Sequence, residues 1–304
     1  VAALVSIPRA RKMAGDDLEA RKKLSFEQAE GVAALPAQLQ LRQVSKQLRA
    51  TLWARIYTDL NKATRRSDFA PNSIQGPWLT ILTDEHVYRQ HQMADDFANV
   101  EKTLVKKVRE VFEEGDYIAI FGWLEFVLKH PACPSNFADD IEGILRHCRA
   151  AYRVVDEQVI CPIASDIEHT TITKAFANLA STQFNGARAH LRNAASHLTA
   201  GHYADSVRES IHAVEAVGRT LDPSADILSK ALKKLEQKIS IHPAMKIGFT
   251  SLYAYTSDEK GIRHALLDDS TAKVDETDAL FMLGACAAFV SYLVNKARSA
   301  AIIK

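Results

Sequence analysis

The sequence predicts a mostly α protein: an N-terminal helical domain that carries one short β-hairpin, then a C-terminal helical bundle. Three observations predict it. Apolar residues recur at three- and four-residue intervals along most of the chain, as they do on one face of a helix. Only one stretch, 152–160, sets β-branched residues on both sides of a polar centre. After Pro162, capping residues, Gly and Pro fall at short intervals, which fits helices joined by short connections. The 304 residues are 47% hydrophobic and 25% charged, with 12 Gly and 9 Pro. That profile excludes collagen-like and broadly disordered chains, and the length suffices for one large domain or two ordinary ones.

The elements follow in order. Residues 45–61 carry Leu48, Leu52 and Ile56 at helical spacing, with Trp53 and Leu60 adjacent. Pro71, Asn72, Gly76 and Pro77 make 64–80 a loop. In 95–114, Phe97, Val100, Leu104, Val108 and Val111 form one stripe of an amphipathic helix that Gly115 closes. Asp116 can cap the next helix, through Lys129. Pro131 and Pro134 break the chain, and Asn136 opens a helix through Ile141 and Cys148. The hairpin comes next, too small to stand alone and so expected against helices. Ser165-x-x-Glu168 is a capping-box pattern, and it places a domain boundary near 163–168. Helices are then expected at 182–199, 204–221, 225–239, 243–254, 257–267 and 275–299, punctuated by Gly201, Asp222-Pro223, His242-Pro243 and Gly261.

The net charge of +1 conceals a pattern. Residues 1–66 hold 13 Lys/Arg against 6 Asp/Glu, and residues 67–165 hold 9 against 16. Either the basic block lies against the acidic one, or it touches nucleic acid, with salt-sensitive binding. The apolar, uncharged run 279–294 is shorter than the roughly 20 residues a membrane span needs, so a buried central helix and no membrane partner are expected. The first residues lack the basic-then-apolar order of a secretion signal. Cys133, Cys148, Cys161 and Cys286 are widely spaced, which fits free thiols in a reducing cytoplasm rather than a disulfide framework or a zinc site.

Phosphate-loop, dinucleotide-fold, hydrolase-elbow and zincin motifs are absent, and the eleven histidines have no metal-ligand spacing. No cofactor or metal is called for. Three Arg/His constellations remain. Arg192 and His197 are five apart, and share a helix face only loosely. Arg208 and His212, followed by Glu215 and Arg219, make a polar stripe beside the apolar Val207, Ile211, Val214 and Val217. The third, Ser257 to His264, sets Arg263 beside His264 after Gly261. Each has a plainer reading as solvated or helix-capping charge. Together, though, these residue types suit RNA cleavage by its own 2′-hydroxyl. Histidine moves protons near neutral pH, and arginine grips phosphate while staying charged.

Several segments resemble a known family. Ala187-Arg188-Ala189-His190-Leu191, Gly201-His202-Tyr203-Ala204-Asp205-Ser206-Val207-Arg208-Glu209-Ser210-Ile211 and Leu252-Tyr253-Ala254-Tyr255-Thr256-Ser257-Asp258-Glu259-Lys260-Gly261-Ile262-Arg263-His264-Ala265-Leu266 resemble the HEPN-like domain of AbiJ-type abortive-infection proteins. Leu24-Ser25-Phe26-Glu27, Leu48-Arg49-Ala50-Thr51-Leu52-Trp53, Trp123-Leu124-Glu125-Phe126 and Ala151-Tyr152-Arg153-Val154-Val155 resemble the domain that precedes it. The resemblance divides the chain into a basic segment, 1–23, an AbiJ-type sensor or regulatory domain, 24–165, and a HEPN-like bundle, 166–304.

The resemblance implies phage defence by growth arrest and a metal-independent endoribonuclease that works as a homodimer on RNA. Arg263 would bind the scissile phosphate and His264 would move the proton, supported by Arg208, Glu209 and His212. The family signature is Arg, four to six residues, then His. Here Arg263 is followed directly by His264, while the matching spacing, Arg192 to His197, falls on an earlier helix. A second reading is therefore carried beside the first: an inactive HEPN-like module that binds RNA or a protein, such as a phage component or a toxin or antitoxin partner. The apolar last helix, with Phe281, Met282, Phe289, Tyr292 and Leu293, motivates the homodimer on either reading.

Overall fold

A computed structural model describes Phe26 and residues 38–163, 165–224, 241–258 and 274–303, with residues 230, 232, 233, 236 and 239 between them. The described residues from 38 onward group as one compact unit. It is mostly helical, with ten α-helices and two short antiparallel strand pairs among the described residues.

The first helix, α1 (Lys46–Lys62), is capped by the Ser45 side chain, which accepts from the Leu48 amide, and buries Leu48, Leu52, Ile56 and Leu60. The expected loop 64–80 holds more structure than that. Strands β1 (Thr64–Arg65) and β2 (Ser73–Ile74) pair antiparallel, and Pro77 begins helix α2 (Pro77–Asp84). Proline at the first helical position lacks only an amide that would be orphaned anyway, so there it starts a helix instead of breaking one.

The helix expected from residue 95 starts later, as α3 (Glu101–Glu113). The reason is Asn99. Its amide oxygen accepts from the Ile74 amide and its nitrogen donates to the Ile74 carbonyl, both at 2.9 Å, so this stretch is spent on satisfying the edge of β2. Gly115 follows α3 closely enough that a Cβ there would lie 2.3 Å from the Val111 carbonyl oxygen. Helix α4 (Tyr117–Lys129) is capped by Asp116, and α5 (Phe137–His147) follows the prolines. Arg49 of α1 donates to the carbonyls of Phe112 and Gly115, closing the C-terminal end of α3.

Strands β3 (Arg153–Val155) and β4 (Val159–Cys161) form the expected hairpin, in register Arg153↔Cys161, Val154↔Ile160 and Val155↔Val159. Both of its faces are buried. Alternate side chains point to opposite faces, and here the alternation divides two cores. Val154 and Ile160 belong to the core of α1–α5, whereas Val155, Val159 and Cys161 belong to the core that follows. Arg153, only 3% exposed, ties the hairpin to α5 through Glu142 and to the next helix through Asp166.

That second core is built by α6 (Asp166–Asn178), α7 (Asn185–Thr199), α8 (Tyr203–Leu221), α9 (Pro243–Asp258) and α10 (Glu276–Ser299). Ser165 caps α6 as expected. Helix α7 starts after a 3₁₀ turn at Thr182–Phe184. Helix α8 packs on α7 and α10, and α10 also packs on α6. By length and composition α10 is long and apolar enough to cross a membrane. In this fold it is the central core helix, burying Met282, Leu283, Cys286, Phe289, Val290, Leu293 and Val294. Of the residues that motivated a homodimer, Met282, Phe289 and Leu293 are consumed inside the chain, whereas Phe281 is 60% exposed. Most of the expected helices 257–267 and 225–239 lies outside the described residues, and α9 runs on to Asp258.

Candidate functional site

The chemistry-bearing side chains gather where α7 meets α8. On α7, His190, Asn193 and His197 repeat at helical spacing and fall on one flank. Arg188 and Arg192, at i and i+4, fall on the other, each flank about 100° from the buried stripe of Ala187, Leu191, Ala194 and Leu198. On α8, Asp205, Glu209 and His212 form a polar stripe opposite the buried Val207, Val214 and Val217. Serines stitch the seam: Ser206, fully buried, donates to the Ala194 carbonyl at 2.8 Å.

The centre of the seam is a carboxylate between two imidazoles. His190 Nδ1 lies 2.8 Å from Glu209 Oε2, and His212 Nδ1 lies 3.6 Å from Glu209 Oε1. The two rings stand edge to face, with centroids 5.3 Å apart. Asn193 Nδ2 reaches Glu209 Oε2 at 3.5 Å. Burial pushes the Glu209 carboxyl up. The His190 hydrogen bond and charge, the Asn193 amide and His212 outweigh it and hold the group below the ordinary glutamate value. An imidazole set against an ionised carboxylate can store and return a proton at neutral pH, which is what a general acid or base must do. Toward the start of α8, His197 and His202 lie with ring centroids 6.0 Å apart, and Arg208 donates to Asp205 at 2.5 Å. Beyond His212, Glu215 accepts from the Tyr253 hydroxyl of α9 at 2.8 Å.

The expected residues divide as follows. Arg208, Glu209 and His212 lie on α8, and Glu209 with His212 enters the cluster. Arg263 and His264 lie outside the described residues. The pair Arg192 and His197 is split. Arg192 Nε donates to Asp156 Oδ2 at 2.6 Å, and Arg188 Nη2 donates to Asp156 Oδ1 at 2.6 Å, so both arginines face the hairpin. The Asp156 side chain is 1% exposed, and the residue sits at positive φ in the hairpin turn, next to Glu157, also at positive φ. His190 and Asn193 were not singled out from the sequence as site residues. Their signal was present as the i, i+3, i+7 polar repeat His190, Asn193, His197 on α7, facing Glu209-x-x-His212 on the next helix.

Other features are less site-like. All four cysteines are free, and burial pushes each thiol up, Cys286 to about 12, so none is a prepared nucleophile. Arg55, Lys62 and Arg65 of the basic block line an open cavity of about 750 Å³, but Arg55 is already engaged by Asp59 and Asp140. Of these contacts only Arg55 to Asp140 joins the basic block to the acidic one, whereas Arg49 is spent on the carbonyls of Phe112 and Gly115.

The fold therefore defines a helical protein with two cores joined by a buried hairpin, and a half-exposed His/Glu cluster on the second. Residues 25–178 match the family model described as AbiJ N-terminal domain 4. That match covers half of the chain and takes in the first core, the hairpin and α6. The chain belongs to this family of AbiJ-type abortive-infection proteins, which act in phage defence. No curated protein and no solved structure matches the chain.

Proposed function

We propose that the chain is a cytoplasmic effector of abortive infection whose second core is a HEPN-like, metal-independent endoribonuclease, with the N-terminal domain as sensor or regulator. The observation that carries this reading is the paired imidazoles on the ionised Glu209, on a face that solvent reaches. In the proposed reaction one neutral imidazole takes the proton of a 2′-hydroxyl. The resulting oxyanion attacks the adjacent phosphorus, and the second imidazole, protonated, gives its proton to the departing 5′-oxygen. The products are a 2′,3′-cyclic phosphate and a 5′-hydroxyl. Arg263 and Arg208 would neutralise charge on the phosphorane, and His264 would share proton transfer with His212. A homodimer through the HEPN-like bundle, with RNA as substrate, belongs to the same proposal, and Phe281, Ile167 and Ile247 are among its exposed apolar side chains.

The test is expression of the wild type, Arg263→Ala/His264→Ala and His212→Ala, followed by growth and RNA integrity. Growth arrest with fragmented RNA is expected from the wild type alone. Equal toxicity with intact RNA in all three ends the nuclease reading.

A second reading is an inactive HEPN-like module that binds RNA or a phage, toxin or antitoxin protein. It is favoured by the arginines: Arg188 and Arg192 are committed to Asp156, and Arg208 to Asp205. Co-purified RNA that stays uncut across a pH series supports this reading, and rapid cleavage in chelator excludes it.

A further inference from the structure

The donors that meet across the α7–α8 seam also match those of a first-row divalent cation, and we propose that His190, Glu209 and His212 form a zinc-class cation site. One ligand atom from each lies within 4.8 Å of the other two. In a tetrahedral zinc site with bonds of about 2.0–2.1 Å, neighbouring ligand atoms sit about 3.3 Å apart. His190 Nδ1 stands 2.8 Å from Glu209 Oε2 and His212 Nδ1 3.6 Å from Glu209 Oε1, so a small turn of the carboxylate would present one oxygen to an ion held by both rings. Both imidazoles keep about a third of their surface exposed, 37% and 33%, so these are small side-chain adjustments.

The arrangement has further features of a built site. Glu209 and His212 form Glu-x-x-His, the i, i+3 spacing by which one helix aims two ligands into a bundle site. His190 supplies the third from the facing helix. Asn193, 3.5 Å from Glu209, is an outer partner able to orient the carboxylate. Two imidazole nitrogens with one carboxylate oxygen suit zinc and its neighbours better than magnesium or calcium, which prefer all-oxygen shells. Three protein ligands on a solvent-reached face leave a fourth position open, as in catalytic sites and unlike closed structural ones.

A second triad, His197, His202 and Asp205, repeats the layout seven residues further along α7. There Arg208 already supplies a cation to Asp205, so the site is assigned to the first triad. An imidazole nitrogen that holds a metal cannot carry a proton. A bound ion would thus silence the proton transfer proposed above. That consequence rests on the nuclease reading, while cation binding does not.

The experiment is calorimetric titration of the full, untagged, chelator-treated chain with zinc chloride, with magnesium chloride as control. One zinc per chain is expected, with no comparable magnesium binding. His190→Ala and Glu209→Gln should each weaken it at least tenfold, Asn193→Ala about tenfold, and His197→Ala not at all. Absence of zinc binding, or wild-type affinity in both His190→Ala and Glu209→Gln, overturns the proposal. Should those variants fail to fold, cobalt(II) added to the wild type gives the answer. Selective broadening of the His190 and His212 ring signals supports the site, and uniform broadening of all eleven histidines overturns it. Zinc binding by a chain that cuts no RNA upholds the cation site and removes only the nuclease.

Discussion

Helix α7 is charged on two flanks, and they behave differently. On one, Arg188 and Arg192 clasp a single carboxylate, Asp156, sealed from water in the hairpin turn. On the other, His190 and Asn193 meet Glu209 and His212 at a surface solvent still reaches. The residue types are alike, basic on one helix and acidic on the neighbour. What differs is depth and permanence. A buried carboxylate is costly to leave without its guanidinium partners, so it serves as a fastener between hairpin and helix. An imidazole against a half-buried carboxylate changes protonation at modest cost, so it can do chemistry.

The comparison can be broken from its stronger side first. Replacing both arginines, Arg188→Ala/Arg192→Ala, strands a buried negative charge, and about 3–5 kcal/mol of stability should be lost in urea unfolding. A loss under 1 kcal/mol would mean that Asp156 is no fastener. Removing the carboxylate instead, Asp156→Ala, should cost less, about 2 kcal/mol, because the freed guanidiniums can turn to water.

On the open flank the effect is smaller and depends on pH. Glu209 is held below its ordinary value, so its stabilisation is present above the unfolded value near pH 4.3 and is lost as pH falls through the folded one. Glu209→Gln should therefore lower the urea midpoint more at pH 7 than at pH 3. An equal effect at both pH values would contradict the ionised-carboxylate assignment. Smallest of all, Arg109→Ala on the exposed face of α3, where Arg109 pairs with Glu113, should cost at most about 0.5 kcal/mol in the same assay.

Much of the fold was legible in the sequence because its signals are local. The Asp116 and Ser165 caps, the hairpin at 152–160 and the buried stripe of α8 each depend on residues within a few positions of one another. The failures were also local readings, overruled by distant partners. Asn99 delays α3 because its amide is bonded to Ile74, 25 residues away in the chain. The site was less legible. Arg192 and His197 have a suggestive spacing, but five residues turn a helix far enough to put them on opposite flanks, one toward the hairpin and the other toward α8.

By itself the sequence determined that the chain is helical, where most helices start and stop, and that α8 carries a polar stripe. Those follow from periodicity and capping, which act over one or two turns. Tertiary structure alone decided that the hairpin would be buried on both faces, that Asp156 would gather two arginines, and that His190 would complete a cluster with Glu209 and His212. Each of these depends on which flanks of two helices meet, and packing sets that across residues far apart in the chain.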